Sequence, residues 1–357
     1  MKEFLLGLGK LSVFSFVSKF ESNNVASNEA FGSDKTKGRS ATANTSRIIF
    51  LGTGSSTGIP HPLCVFPDRE KGTESFERQC EVSRLSLLKA PELSKNYRCN
   101  PSILVDFYNS KDQTNRYIQI DATKQFKESV VRWYPRHGIP RLDALILTHD
   151  HADAMFGLDD VRGVQSMGGP AMPVYLSQQT FATIQQRFPY LAPKNFEVQL
   201  VSVPAPPKVQ RWVASLDYRV IEPFSPLKVH GLKVTPIPVM HGEDYESLGF
   251  CLGDQGQVVY ISDVSRIPED TMAFLKSLEI SVLIIDALKV NGNHPTHFNA
   301  RQSLEVVREL RPGQSFFIGM SHDFEHELEN TKLKKLQQTE GLDVQLSYDG
   351  LSIDVDL

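Results

Sequence analysis

The feature that most restricts the fold is a set of short apolar segments that each end in histidine or aspartate. The segment ALIL, residues 144–147, is followed within a few positions by His149, His151 and Asp153. Similar segments end in His241, Asp263, Asp286 and His322. A short apolar run of this kind is typical of a buried strand, and a rigid strand end is a good place to fix a functional side chain. The sequence therefore predicts a sheet-based fold whose strand ends share one site.

The segments between these points alternate between strand and helix patterns. RIIFLGTG (47–54) predicts a strand that enters a glycine turn, and FEVQLVSV (196–203) predicts another strand. KQFKESVVRWY has helical spacing, with Phe126, Val130, Val131 and Tyr134 expected on the buried side. With no repeat and no proline-rich linker, residues 46–357 are predicted to form one α/β domain of stacked sheets with helices outside.

Residues 1–45 differ in composition from the rest of the chain. They combine a short apolar, lysine-containing stretch with a polar one rich in Ser, Asn and Thr. Two interpretations remain open, a disordered extension and an organelle-targeting segment. The expected location is the cytoplasm, or a mitochondrion or plastid if the segment is a presequence.

Charge and cysteine content limit the function classes. The formal net charge of −4 argues against a nucleic-acid binder that works by bulk positive charge. The 4 cysteines are too few for a disulfide scaffold and indicate a reducing compartment. No stretch approaches the roughly 20 apolar residues of a membrane-spanning helix. We expect no membrane partner, and the oligomeric state is left open, with a dimer among the options.

The histidines of the THDHAD run suit a metal site. Two-residue spacing on an extended segment points His149 and His151 to the same side. Neutral imidazoles with added carboxylates are suitable ligands for Zn²⁺, Mn²⁺ or iron. A single histidine at a strand end is more often structural, so the prediction depends on the whole set.

Several motifs, in this order, resemble the metallo-β-lactamase fold. They are LGTGSSTGIP (51–60), THDHAD (148–153), VMHG (239–242), YISD (260–263), HPTHF (294–298) and MSHDFEH (320–326). The chain is most similar to the phosphodiesterase-like branch, which includes the phosphonate-pathway cyclic phosphodiesterase and the tRNA 3′-end nucleases. The resemblance covers roughly residues 46–350 and implies an αββα sandwich with a metal site at one edge between the sheets.

The resemblance also implies roles for individual residues. His149, His151 and His241 would hold a first ion, zinc or iron, while Asp263 would bridge to a second ion, Mn²⁺ or Zn²⁺, that Asp153 also binds. Such a pair of ions lowers the pKa of a shared water, so that hydroxide is available near neutral pH.

Three further residues gain roles by the same resemblance. His297 is expected to act as general acid on the leaving oxygen, and His294 and Arg162 are candidates for binding substrate. Arg162 and the neighbouring Asp159 have an alternative interpretation, since charged residues are common where a helix starts.

Two positions depart from the family's usual pattern. The aspartate of the motif is normally followed by a histidine that binds the second ion, but here Ala154 follows Asp153. The last strand offers either Gly319 at the position of the other histidine, or a shifted strand in which His322 is the last catalytic ligand. The second site is therefore expected to be weaker than the first, and the sequence does not decide the register.

A separate zinc site is one interpretation of the cysteines. Close relatives often carry a structural zinc held by three cysteines and a histidine. Here Cys64 and Cys80 are present but Ser83 stands in the third position, with His322 and His326 as candidates to complete the set. The alternative is that both cysteines are small buried apolar residues.

The predicted function is metal-dependent hydrolysis of a small or cyclic phosphodiester. An RNA 3′-processing nuclease is an alternative, although no basic, Gly/Pro-rich arm is visible and the net charge is negative. A thioester hydrolase or a non-hydrolytic metal-bearing binding protein is another, because a weak second site is compatible with binding without turnover.

Overall fold

The computed structural model describes residues 45–65, 80–165, 169–192 and 213–357. The strands in chain order are β1 (Ser46–Gly52), β2 (Ser102–Asn109), β3 (Thr114–Ile120), β4 (Ala144–Ile146), β5 (Met172–Leu176), β6 (Leu216–Val220), β7 (Leu227–Val229), β8 (Leu232–Met240), β9 (Glu246–Leu252), β10 (Val258–Ile261), β11 (Val282–Asp286), β12 (Gln314–Ile318), β13 (Val344–Leu346) and β14 (Ser352–Val355). The predicted N-terminal extension and the predicted strand 196–203 lie outside the described residues.

Helices connect many of these strands. They are α1 (Pro62–Val65), α2 (Glu81–Leu87), α3 (Phe126–His137), α4 (Ala152–Met155), α5 (Gln178–Arg187), α6 (Glu269–Lys276), α7 (Ala300–Leu310) and α8 (His326–Glu340), with 3₁₀ helices at Pro91–Leu93 and Leu158–Val164. None of the helices in the described ranges is long and apolar enough to cross a membrane.

The strands form two seven-stranded sheets within the described residues. The orders are β14-β1-β2-β3-β4-β5-β6 and β13-β12-β11-β10-β9-β8-β7. One apolar core lies between the sheets, and two others lie between the sheets and the outer helices. This confirms the predicted α/β class and the αββα sandwich.

β11 shows why the sequence folds in these layers. All of its residues are buried, because Ile284 faces the core between the sheets while Leu283 and Ile285 face the core beneath the helices. A strand that is covered on both faces needs a continuous apolar run rather than an alternating one.

The predicted buried side of α3 is only partly correct. Phe126 and Tyr134 are buried as expected, together with Trp133, but the Val131 side chain is 67% exposed. Val131 is five residues from Phe126, which places it about 140° around a helix with 3.6 residues per turn. The apolar stripe therefore runs through Trp133 and leaves Val131 on the outer face.

Parallel pairing brings several strand ends to one edge. β3 is parallel to β4, and β10, β11 and β12 are mutually parallel. The two sheets also meet at this edge, since Leu248 N donates to Thr148 O at 3.0 Å. The loops that follow these strands consequently share one site.

Candidate metal centre

Three histidines from both sheets meet at the shared edge. His149 and His151 follow β4, and His241 follows β8. Their ring centroids are 4.7 Å (149–151), 5.3 Å (149–241) and 5.0 Å (151–241) apart. Nε2 of His241 lies 3.2 Å from Nδ1 of His151. His151 is exposed while the other two are buried, so the cluster is open to solvent on one side.

Hydrogen bonds behind the cluster fix which ring nitrogen faces it. The Nδ1 of His241 lies 2.8 Å from Thr296 O, and a carbonyl can only accept, so Nδ1 carries the proton. The Nδ1 of His149 lies 2.8 Å from Thr148 Oγ1, whose hydroxyl is bonded in turn to the Asp121 carboxylate. The Nε2 of both rings is left with a lone pair, and that of His149 is buried with no partner among the described residues. A metal ion would satisfy this atom.

The protonation states also suit a metal. Burial lowers the pKa of His149 to about 3 and lowers the pKa of His241 as well, so both imidazoles are neutral near pH 7. Burial alone would raise the pKa of Asp263, but the neighbouring histidines, His149 first, hold it below its usual value. The neutral imidazoles of His149 and His241 beside an ionised carboxylate are fitting donors for a divalent ion.

His297 lies beside this cluster and is tied to Asp286. The His297 Nδ1 is 2.8 Å from Asp286 Oδ2 and 3.8 Å from Asp263 Oδ1. Burial alone would lower the pKa of His297, but the Asp286 carboxylate raises it to about 9. Since Nδ1 is engaged by Asp286, the Nε2 N–H is the proton that His297 has free to donate. A ligand atom from each of His241, Asp263 and His297 lies within 4.8 Å of the others.

Comparison with protein families identifies the chain. The family model described as "Beta-lactamase superfamily domain" matches residues 116–320, which is more than half of the 357 residues. The chain belongs to the beta-lactamase superfamily. This family is typically hydrolytic and metal-dependent, and the match includes the three clustered histidines.

Three solved structures are similar to this chain in fold. A new diphosphatase from the PhnP family is 27% identical, with a TM-score of 0.65, over 87% of this chain and 98% of that one. The Zn²⁺-bound PqqB of Methylobacterium extorquens is 17% identical, with a TM-score of 0.59, over 87% of this chain and 100% of that one. Human tRNase Z, short form, is 14% identical, with a TM-score of 0.51, over 87% and 100% of the two chains. The last two likenesses concern the fold alone.

A curated protein also matches part of this chain. The octanoyltransferase of Porphyromonas gingivalis (strain ATCC BAA-308 / W83) is 27% identical over 276 residues, which are 77% of this chain. The matched region is 46% of that protein, so this chain spans about half the length of the relative.

The structure shows what stands at the two positions that depart from the superfamily pattern. Ala154 is buried beside Asp153 and offers no ligand. Gly319 has φ of 76°, and a Cβ there would lie 2.3 Å from Asp286 Oδ1. The Asp286 carboxylate therefore occupies space that a side chain at position 319 would need, and neither Ala154 nor Gly319 offers a ligand.

The carboxylates of Asp153 and Asp263 are the candidate ligands for a second ion. Burial and the neighbouring Asp263 carboxylate raise the pKa of Asp153 to about 6, as expected for two acidic groups that share a buried site. A second ion at this position would be bound mainly through oxygen.

His322 lies with the cysteines, which corrects its assignment as a catalytic metal ligand. Its Nδ1 is 3.3 Å from Cys64 Sγ and 3.2 Å from Cys80 Sγ. The chain turns at Gly319, where φ is 76°, and Ser321 N then donates to Leu288 O at 2.9 Å.

His326 lies apart from this cysteine cluster, so the set Cys64, Cys80 and His326 is not brought together. Its Nε2 is 3.0 Å from Asn330 Nδ2, and its buried Nδ1 has no partner in the described part of the chain. Ser83 is buried, with Oγ 3.1 Å from Cys80 Sγ. The candidate structural zinc site is therefore Cys64, Cys80 and His322, with Ser83 alongside.

The two residues predicted to bind substrate, His294 and Arg162, lie in different surroundings. His294 packs near His297, with ring centroids 5.3 Å apart, and its Nδ1 is bonded to Thr296 Oγ1 at 3.1 Å. Arg162 lies on the 3₁₀ helix after the metal motif, but its guanidinium pairs with Asp159 at 3.1 Å. Arg162 would have to give up this partner to bind a substrate.

Two residues that contact the histidine cluster or its flanking loop were not predicted from the sequence. The Tyr245 ring stacks on His151 with centroids 4.8 Å apart, and its hydroxyl bonds the Asp150 carboxylate. Asp150 also accepts from Thr183 Oγ1 at 2.5 Å. Asp150 was visible between the two histidines, but Tyr245 comes from the loop between β8 and β9 of the other sheet and carried no local signal.

Proposed function

We propose that this protein is a metal-dependent hydrolase of small phosphodiesters. The observation that carries the proposal is the convergence of His149 Nε2, His151 Nδ1 and His241 Nε2 beside the Asp263 carboxylate. The 27% identity to a PhnP-family diphosphatase supports a phosphorus-centred reaction, since diphosphates and phosphodiesters both contain phosphorus–oxygen bonds that join two groups.

Different residues have different roles in the proposed reaction. His149, His151 and His241 would hold the main ion, zinc or iron, and a divalent ion bound there would lower the pKa of a water ligand towards neutrality. Thr148 and the Thr296 carbonyl keep two of the rings oriented. Asp153 and Asp263 would hold a weaker second ion, Mn²⁺ or Zn²⁺, through oxygen.

His297 is proposed as the general acid. It is protonated at neutral pH because Asp286 raises its pKa, its Nε2 proton is the one left to donate, and its ring centroid lies 4.8 Å from that of His241. Protonation of the leaving oxygen avoids expelling an unstable alkoxide. Asp286 orients the ring and touches no reacting atom.

An acyl ester or thioester hydrolase is the second candidate function. The curated relative named octanoyltransferase, 27% identical over 276 residues, favours it. We rank it lower because the matched region is only 46% of that protein, so the named activity need not belong to the matched part.

The test is a substrate panel with the full chain loaded with Zn²⁺, Mn²⁺ or both. The panel contains bis(4-nitrophenyl) phosphate, a nucleoside cyclic phosphate, an octanoyl thioester and a tRNA precursor with a 3′ trailer. We expect the highest kcat/KM with one of the two small phosphodiesters. Faster cleavage of the thioester would replace the proposal with the second candidate, and faster trailer removal would make the protein an RNA-processing nuclease.

A further inference from the structure

A groove runs along the outer face of α3 beside the metal centre. Its volume is about 590 Å³, within the size range of ligand sites. Lys124, Lys127 and Asp160 line one end, and Arg132 and Arg136 line the other. We call this cavity the α3 groove.

The lysine end of the α3 groove adjoins the metal centre. The turn after Asp153 packs on the loop before α3, since Gly157 N donates to Ala122 O at 2.8 Å. Lys124 belongs to this loop, and its Nζ donates to Ser56 O at 2.7 Å. Asp121 lies three residues before Lys124, at the start of the same loop, and accepts a hydrogen bond from Thr148 N at 2.8 Å, next to the metal ligand His149. A ligand at the centre could therefore extend into the groove.

The charges at the two ends differ. Arg132 pairs with Glu128 at 2.7 Å and Arg136 pairs with Glu92 at 2.6 Å, so the far end is balanced. Across the described residues, neither lysine has a carboxylate within ion-pair distance.

The lysine end therefore carries a net positive charge. Three carboxylates line the groove; those of Glu92 and Glu128 pair with the arginines, which leaves only Asp160 to offset the two lysines. The positive end of the α3 dipole, where the flanking Gln125 side chain makes no cap bond, adds to the attraction for an anion.

We propose that Lys124 and Lys127 determine substrate specificity by binding a remote phosphate of the substrate in the α3 groove. This inference rests on the proposed function, because the phosphodiester to be cleaved would lie at the metal centre at the same time. Ammonium groups suit this task, since they donate from a flexible stem to phosphate oxygens in many directions. Arg162, the cation expected from the sequence, is already paired with Asp159.

Two chromogenic substrates test the proposal. Thymidine 5′-(4-nitrophenyl phosphate) and its 3′-phosphorylated form contain the same scissile group and differ only in the remote phosphate. Wild type is expected to prefer the 3′-phosphorylated compound by about tenfold in kcat/KM, the effect of a charge-assisted contact. The double variant Lys124→Gln, Lys127→Gln is expected to bring this ratio close to one.

Lys111→Gln is the matched control, because Lys111 is an exposed lysine in the turn between β2 and β3. It should retain the wild-type ratio. Equal kcat/KM values for the two compounds in wild type, or an unchanged ratio in the double variant, would overturn the proposal.

A binding measurement separates this inference from the proposed function. Calorimetry on metal-depleted protein would compare thymidine 3′,5′-bisphosphate with thymidine 5′-phosphate. We expect tighter binding of the bisphosphate by wild type and loss of that difference in the double variant. If neither nitrophenyl compound is hydrolysed, the proposed function fails, yet this binding difference would still support the groove. Equal binding of both nucleotides would overturn it.

Discussion

The Asp286 carboxylate bonds His297 Nδ1 at 2.8 Å and at the same time fills the space beside Gly319. One side chain thus occupies the space that a side chain at position 319 would need and orients an imidazole at the centre. Burial raises the pKa of Asp286 to about 7, with His297 opposing the rise. The pair is consequently a functional unit of this site, and several predictions depend on it.

Replacing Asp286 by Asn should change the pH profile as well as the rate. His297 must be protonated to donate, so activity is present below its pKa and is lost as pH rises through about 9. Without the carboxylate the pKa of His297 falls, and the loss of activity should begin at lower pH. We expect kcat to drop about 10–100-fold, as for other residues that orient a metal site. A slower enzyme whose alkaline limb has not moved would mean that Asp286 is only structural.

Restoring the missing histidine should strengthen the second ion. Ala154→His adds an imidazole next to Asp153, where oxygen ligands alone bind weakly. After dialysis against a mild chelator, wild type should retain about one ion at the catalytic centre, and the variant should retain more of a second. Ala154→Ser is the control for filling the space. Two tightly held ions in the dialysed wild type would show that the second site is complete without this histidine.

The cysteine cluster should hold a separate zinc ion. Cys64→Ser with Cys80→Ser removes both thiols beside His322, so zinc content should fall by about one ion per chain and the melting temperature should drop. Ser83→Cys supplies a third thiol next to Cys80 and should make zinc harder to remove. Cys251→Ala, in the core under the outer helices, should leave zinc content unchanged. Unaltered zinc in the double variant would leave these residues as ordinary buried side chains.

His326 should make the protein sensitive to acid. Burial, with the positive charges of Arg98 and Lys95, lowers the pKa of His326 to about 3, below the value of 6.5 expected when unfolded. Between those values the unfolded chain binds one more proton, so this group lowers stability as pH falls, by up to about 1.4 kcal/mol per pH unit. His326→Gln should flatten the decrease of the unfolding free energy between pH 6.5 and 4. An equally steep decrease in the variant would contradict the assignment.

The strand-end ligands could be predicted because their signals are local. His149 and His151 share one extended segment after a buried run, and parallel pairing brings the ends of neighbouring strands together. The sequence could not decide between the catalytic centre and the cysteine cluster for His322, because the choice depends on the turn at Gly319 and on contacts with Cys64 and Cys80 that are distant in sequence.

The α3 groove could not be predicted from the sequence for a related reason. Whether a lysine or arginine is available to a ligand depends on its acidic neighbours in space. Arg136 is balanced by Glu92, which is 44 positions away in the chain, while Lys127 is not balanced by any described carboxylate. Val131 was wrongly predicted to be buried because its angular position around α3 was misjudged. A shift of one position around a helix can move a side chain from the core to the surface.

The most direct test of the account is the metal content and phosphodiesterase rate of His151→Ala. His151 is exposed, so its removal should spare the fold, which circular dichroism would check. We predict that the ion held by His149, His151 and His241 is lost and that the rate on bis(4-nitrophenyl) phosphate falls at least about 100-fold, because the ion supplies the activated water. A folded His151→Ala protein that keeps its full catalytic metal and its rate would contradict the account.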